Sequence, residues 1–281
     1  MSLFTLRGSA LAGSIVAGLV GAWSVSAVTQ ERTTPPIFAP NSTLGWIGAG
    51  DIRPVPGKVP PLSQDPKYPL VTNAAGSGSQ PNYRIADLSN PNLKPWAKEV
   101  MKKDNDEVLA GKIAFTPYSS CTLAGVPGFL ALGGNNNPYR FVQTPKEVRI
   151  LRDADSQVRR VYLNVPHSPN PKPSWYGESV GHYEGDTLVI DTIGLNTKTF
   201  VDSYRTPHTE KLHVVERWRI VDGGRAMEAT FTVEDPDTYY EPWSGMRRYR
   251  RVEQQYVEQI CAEGNRNLFD YGIPVANKLD F

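Results

Sequence analysis

The sequence predicts a mainly β protein, an antiparallel up-and-down meander of short strands that closes into a barrel. A Pro/Gly-rich N-terminal arm and one short helix precede it. Three observations carry this prediction. Short extended runs recur from residue 139 onward, with turn residues between them. One of these runs alternates cleanly between apolar and polar residues, as a strand with one buried face does. No stretch beyond residue 111 shows the 3.6-residue apolar period of a helix.

The chain has 281 residues, and residues 1–27 read as a leader. Arg7 is the only charge before Glu31, and the run 10–23 is apolar and small. Ser24-Val25-Ser26-Ala27 places small residues at the cleavage positions, so Val28 is expected to begin an exported mature chain, periplasmic or secreted. The apolar run is too short and too rich in Gly and Ala for a membrane span, which needs about 20 strongly apolar residues. No second such run occurs, so no membrane span is expected in the mature chain. Removing the leader removes Arg7 and leaves 29 basic against 29 acidic residues. A balanced chain lacks the clustered cations that drive nucleic-acid binding, so no nucleic-acid partner is expected.

Residues 28–94 read as an extended arm. Pro35-Pro36, Pro54-Val55-Pro56-Gly57, Pro60-Pro61 and Ala75-Gly76-Ser77-Gly78 all interrupt regular structure. Trp46, Ile47, Tyr68 and Tyr83 offer anchors through which the arm could wrap the domain that spans 95–281. That domain opens with a helix over 95–111. Pro95 suits its first turn, Trp96, Val100, Val108 and Leu109 mark an apolar side, and Gly111 stops it.

Strands are expected at Tyr139–Gln143, 146–152, 158–164, Glu178–Glu184, Thr187–Ile193, 211–221, Ala226–Glu234 and 245–253. Gly185-Asp186 and Asp222-Gly223-Gly224 join two of the hairpins. In Ala226–Glu234, Met227, Ala229, Phe231 and Val233 share one face, with Glu228, Thr230, Thr232 and Glu234 on the other. Seven or eight such strands leave no unpaired edge if they close into a barrel. A two-sheet sandwich is the alternative. Cys121 and Cys261 are the only cysteines, and export permits a disulfide between them. Neither a Cys-x-x-Cys pair nor a zinc-finger spacing is present.

The candidate chemistry rests on four histidines, His167, His182, His208 and His213, all within one stretch of the chain. On Glu178–Glu184, the side chains of Glu178, Val180, His182 and Glu184 share a face. If that face lines a cavity, Glu178 orients His182 as a general base or acid. If it faces water, it is an ordinary polar outer face. His208 and Glu210 lie in the loop before 211–221, stiffened by Pro207, and could complete the site at the barrel mouth. A metal held by His182, His208 and a carboxylate is conceivable, but the spacing matches no familiar ligand motif, so neither metal nor cofactor is expected. Glu216 is a polar residue in the apolar row Leu212, Val214, Trp218, Ile220, which suits a buried pairing with an arginine. Gly177-Glu-Ser179-Val-Gly181 has the spacing of a nucleophile elbow, but the residues after it continue as a strand and hairpin rather than a helix, which excludes a serine hydrolase. Arg247-Arg248-Tyr249-Arg250-Arg251 divides its charge between two faces, as a salt-bridged strand would, with Arg248 or Arg250 able to reach a carboxylate ligand.

Three blocks, GESVGHYEGDTLVIDTIGLN (177–196), RTPHTEKLHVVER (205–217) and VEDPD (233–237), occur in order at close spacing. Together they resemble a large group of uncharacterised exported bacterial β-rich proteins. The resemblance implies a compact β domain and carries no catalytic role to any residue. By architecture alone, the barrel also resembles the lipocalin-type calycins, which include carriers as well as lyases, cyclases and hydratases. The functions expected are therefore a cofactor-free acid/base lyase, isomerase or hydratase for a small organic compound in a barrel cavity, a ligand carrier with no turnover, or an envelope-associated interaction protein.

Overall fold

A computed structural model of the chain describes residues 35–69, 84–114, 121–131, 138–153, 157–255 and 275–276. The expected leader (residues 1–27), Tyr83 and Cys261 lie outside the described residues, and with them the expected cleavage site and the expected partner of Cys121.

The strands are β1 (Leu44–Gly48), β2 (Arg53–Pro54), β3 (Ile113–Ala114), β4 (Tyr139–Gln143), β5 (Glu147–Arg152), β6 (Gln157–Leu163), β7 (Glu178–Glu184), β8 (Thr187–Ile193), β9 (His213–Val221), β10 (Ala226–Glu234), β11 (Trp243–Glu253) and β12 (Val275–Ala276). The helices are α1 (Pro95–Leu109) and the single turn α2 (Gly128–Ala131). Pairing runs β1–β4–β5–β6–β7–β8–β9–β10–β11 and returns from β11 to β1, which closes a 9-stranded barrel of calycin-like form. β2 extends the sheet beside β11, and β12 pairs β3 in a separate parallel ladder.

Two features depart from the sequence reading. The first is the source of the closing strand. β1 comes from within the Pro/Gly-rich segment 28–94 and pairs with β11 over five positions, Leu44↔Glu253 to Gly48↔Tyr249. Trp46 is 1% exposed and its indole donates to the carbonyl of Phe38 at 2.8 Å, so part of the arm is barrel wall and core. The second is one parallel joint. β6 and β7 run in the same direction and share only Tyr162↔Val180 and Leu163↔Gly181. Their connection, 164–177, carries Pro166, Pro169, Pro171 and Pro173. Proline holds the backbone extended and removes its donor, so this segment crosses over instead of turning back as a hairpin.

The barrel is filled. Trp46, Tyr139, Arg152, Arg159, Trp218, Phe231 and Tyr249 are each less than 2% exposed. A run of ring contacts threads them: Phe38 on Phe141 at 4.8 Å, Phe141 on Trp218 at 5.5 Å, Trp218 on Tyr249 at 5.5 Å and Tyr249 on Tyr139 at 5.6 Å. The Arg159 guanidinium reaches Glu216 at 2.5 Å, with both side chains fully buried, and also donates to Thr192 at 2.8 Å and to Ser179. Glu216 therefore has the buried arginine partner that its place in an apolar row calls for.

α1 begins at Pro95 as expected, but a different side of it is buried. Ala97, Met101, Asp104 and Asn105 face the core, while Trp96 is 37% exposed and binds the Asp237 carbonyl. Asn105 explains the shift: its amide both accepts from the Ala86 N–H at 3.1 Å and donates to the Ala86 carbonyl at 3.0 Å, docking the helix on the segment before it.

Candidate functional site

The inward row of β7 is Ser179, Gly181 and Tyr183, and its outward row is Glu178, Val180, His182 and Glu184. Glu178 and His182 share a face, as the pleat requires, but it is the outer one. Arg159 decides the orientation, because it draws Ser179 and Thr192 inward through buried hydrogen bonds. His182 is half-exposed and binds Glu184 at 3.0 Å, whose other oxygen holds Arg217. Arg217 first, and then His182, hold the Glu184 carboxyl below its usual range.

His208 sits elsewhere, 4% exposed in the loop before β9. Its Nδ1–H donates to the Thr209 carbonyl at 3.0 Å, so its Nε2 accepts from the Thr199 hydroxyl at 2.8 Å. Burial pushes its pKa down and keeps it neutral. The loop is locked by Asp235, which accepts from Thr209 N at 2.7 Å and from the Thr238 hydroxyl at 2.8 Å. Burial works to raise the Asp235 carboxyl, but these bonds win and hold it low. Glu210 is exposed on the same loop. The expected site of His182, Glu178, His208 and Glu210 is thus not assembled: the first two are on the outer wall, His208 is a buried loop anchor and Glu210 faces water. Among the described residues, no three His, Cys, Asp or Glu side chains are arranged to hold a metal ion.

What the structure does assemble lies around Glu178. One Glu178 oxygen accepts from Ser168 N at 2.6 Å and from His167 Nδ1 at 3.0 Å, and the other takes the Ser168 hydroxyl at 2.5 Å. His167 Nε2 meets Asp191 Oδ1 at 2.9 Å, and His213 Nε2 meets the same oxygen at 3.1 Å. His213 Nδ1 lies 3.5 Å from Glu234. The result is one chain of alternating carboxylates and imidazoles, Glu178–His167–Asp191–His213–Glu234, running from the crossover across β7, β8, β9 and β10. The bonds from Ser168 chiefly, with His167, hold the Glu178 carboxyl below its usual range. His213 first, and then His167, do the same for Asp191 against partial burial. Asp191, opposed by partial burial and helped by Glu234, raises His213.

Beside Glu178 lies a groove of about 350 Å³ at the parallel joint. Val158, Arg160 and Tyr162 of β6 form one wall, and Pro171, Lys172 and Tyr176 of the crossover form the other. The groove exists because β6 and β7 pair so briefly that the crossover stands off the sheet.

No family model matches the chain, and no curated protein or solved structure is significantly similar to it. The site must be read from its own geometry.

Sequence reasoning named Glu178 but missed Asp191, Glu234 and the roles of His167 and His213. The available signal was Asp191, a lone charge within the apolar strand TLVIDTI. Register then supplies its neighbours, since Asp191 pairs Val215 and Glu234 pairs His213.

Proposed function

We propose that this chain is an exported small-molecule-binding protein, a carrier whose ligand is an organic anion with an apolar or aromatic body, seated in the groove beside Glu178. One observation carries the reading. Arg160 and Lys172 both line the groove, while both oxygens of its carboxylate, Glu178, are committed to Ser168 and His167. The cations are therefore left for a guest. By contrast, Arg149, Arg217, Arg219 and Arg248 on the same outer wall each have a carboxylate partner. Of the outward arginines on β11 it is Arg250, outside the groove's lining, that has none among the described residues. Val158 and Tyr162, 45% and 44% exposed, supply apolar surface next to the charge. A few polar groups on an apolar wall is the usual make-up of a small-molecule site.

Binding without turnover is favoured over acid/base catalysis because three of the four histidines are occupied on both ring nitrogens, while the fourth, His182, bonds Glu184 through Nε2 and stands half-exposed outside the groove's lining. His167 and His213 have carboxylates on both ring nitrogens, and His208 is bonded on both and buried. A general base has to reach the proton it takes. The filled barrel also favours the outer groove over the interior as the ligand's seat.

The test is a fluorescence titration with 8-anilinonaphthalene-1-sulfonate, an aromatic anion. The wild-type chain is expected to bind it saturably, and Arg160→Gln with Lys172→Gln should weaken binding about tenfold, the worth of one lost charge-assisted bond. Unchanged affinity in the double variant contradicts the reading. Turnover of an organic acid by the wild type that is lost in His167→Gln would return the site to acid/base catalysis.

A further inference from the structure

We propose that the Glu178–His167–Asp191–His213–Glu234 chain is a proton-operated latch that holds the crossover 164–177 against the barrel and so makes binding in the groove depend on pH. This rests on the groove being the ligand site, and it adds how that site is regulated.

The argument is one of donor counting. A neutral imidazole carries a single N–H, and only the imidazolium donates from both nitrogens. His167 faces Glu178 on Nδ1 and Asp191 on Nε2, both within hydrogen-bond distance. Both carboxylates are ionised acceptors, since their hydrogen bonds hold them low. The two bonds therefore exist together only while His167 carries both protons. His213 bonds Asp191 at 3.1 Å and has Glu234 at the longer distance of 3.5 Å from its other nitrogen. Loss of a proton from either ring removes one link.

The consequence is local to the crossover. The crossover is pinned at its ends by Asn164 N–H to the Gly181 carbonyl and by Ser174 against Gly194 and Asn196. Between those ends His167 and Ser168 are its attachments to β7 and β8, with Pro171, Lys172 and Tyr176 farther along forming a wall of the groove. Between residues 165 and 173 the prolines thin the backbone donors, and Ser168 N–H reaches the sheet through Glu178. Arg250 on β11 has no carboxylate partner among the described residues, and other charges near this wall pair among themselves. Glu184 takes His182 and Arg217, Glu228 takes Arg219 and Arg248, and Lys211 pairs Asp237. None of these pairings competes for His167. On the groove side the facing cations are Arg160 and Lys172. Where the link lost is the one to Glu178, its Oε1 is left with the Ser168 N–H alone and has capacity for those two cations, which also weakens their hold on an anion.

The experiment is ring-nitrogen and backbone NMR on the mature chain between pH 5.5 and 9, with the 8-anilinonaphthalene-1-sulfonate titration repeated at each pH. At the acid end His213 should show protons on both ring nitrogens, and wherever the crossover is docked through both carboxylates His167 should show both as well. As those protons are lost, the backbone resonances of 164–177 should shift or broaden together, and probe affinity should fall about tenfold, the cost of one charge-assisted bond. His167→Gln and Asp191→Asn should each abolish the transition, leaving an affinity that is weak and flat with pH. The latch is wrong if His167 is a neutral single tautomer while both of its carboxylate bonds are in place and the crossover is docked. It is equally wrong if the crossover resonances ignore the loss of the ring protons. A probe that binds at no pH would sink the groove reading, and the ring and crossover resonances would still decide the latch.

Discussion

His208 and His213 sit five positions apart, and the protein treats them in opposite ways. His208 is buried among groups suited to its neutral form, and its pKa falls from the ordinary 6.5. His213 lies against Asp191, and its pKa rises from the same value. Linkage then fixes two signs. Below 6.5, the unfolded chain takes up a proton at His208 that the folded chain resists, so the stability from His208 is present above 6.5 and lost as pH falls toward the folded value. For His213 the folded chain binds the proton more tightly. Its contribution is complete below 6.5 and is lost as pH rises through the folded value. Thermal unfolding of wild type, His208→Gln and His213→Gln from pH 5 to 8.5 checks this. The deficit of His208→Gln should widen with rising pH, and that of His213→Gln should narrow. Parallel curves would contradict both assignments. Some of this residue-scale chemistry could be read beforehand. Glu216 in an apolar row calls for a buried cation, and Arg159 is that cation. The Asp191 hub could not be read, because a strand's period tells which residues share a face and says nothing of which strand lies alongside.

Among the elements, the parallel joint of β6 and β7 makes this barrel unlike a plain meander, and it was not legible in the sequence. Eight strands were, since each is a short extended run bounded by turn residues. β1 escaped notice because Leu44-Gly-Trp-Ile-Gly48 is a brief apolar run between Pro-rich stretches, and only its partner β11 makes it a strand. The crossover escaped notice because four prolines look like any loop until the strands on either side are known to run the same way. Its return to β7 depends on Gly177, which has φ +61° and stands where a Cβ would come within 2.3 Å of the Ile193 carbonyl oxygen. Gly177→Ala should cost roughly 2–4 kcal/mol, combining a left-handed backbone penalty with overpacking against immovable main chain. Gly223 has a similar φ of +64° with open space around it, so Gly223→Ala should cost only about 1 kcal/mol. Urea denaturation of the two variants separates the effects, and equal losses would show that the crossover does not depend on the close approach at Gly177.

For the molecule as a whole, the filled barrel is what supports placing the proposed ligand on the outer wall. Closure of the sheet was legible, since many short strands with no edge to spare favour a barrel. Which side of β7 faces inward was not, because Ser179-x-Gly181 and Glu178-x-Val180-x-His182 are both plausible inner rows, and the deciding contact, Arg159 to Ser179, comes from a neighbouring strand. No helix among the described residues is long and apolar enough to cross a membrane. The central claim is that the ligand sits outside the barrel, at the parallel joint. A crystal structure of the mature chain with 8-anilinonaphthalene-1-sulfonate tests it most directly. The account predicts the sulfonate within hydrogen-bond reach of Arg160 and Lys172, with the rings on Val158 and Tyr162 and the barrel core unmoved. A probe found inside the barrel, with Trp218 and Tyr249 displaced to admit it, would contradict the account.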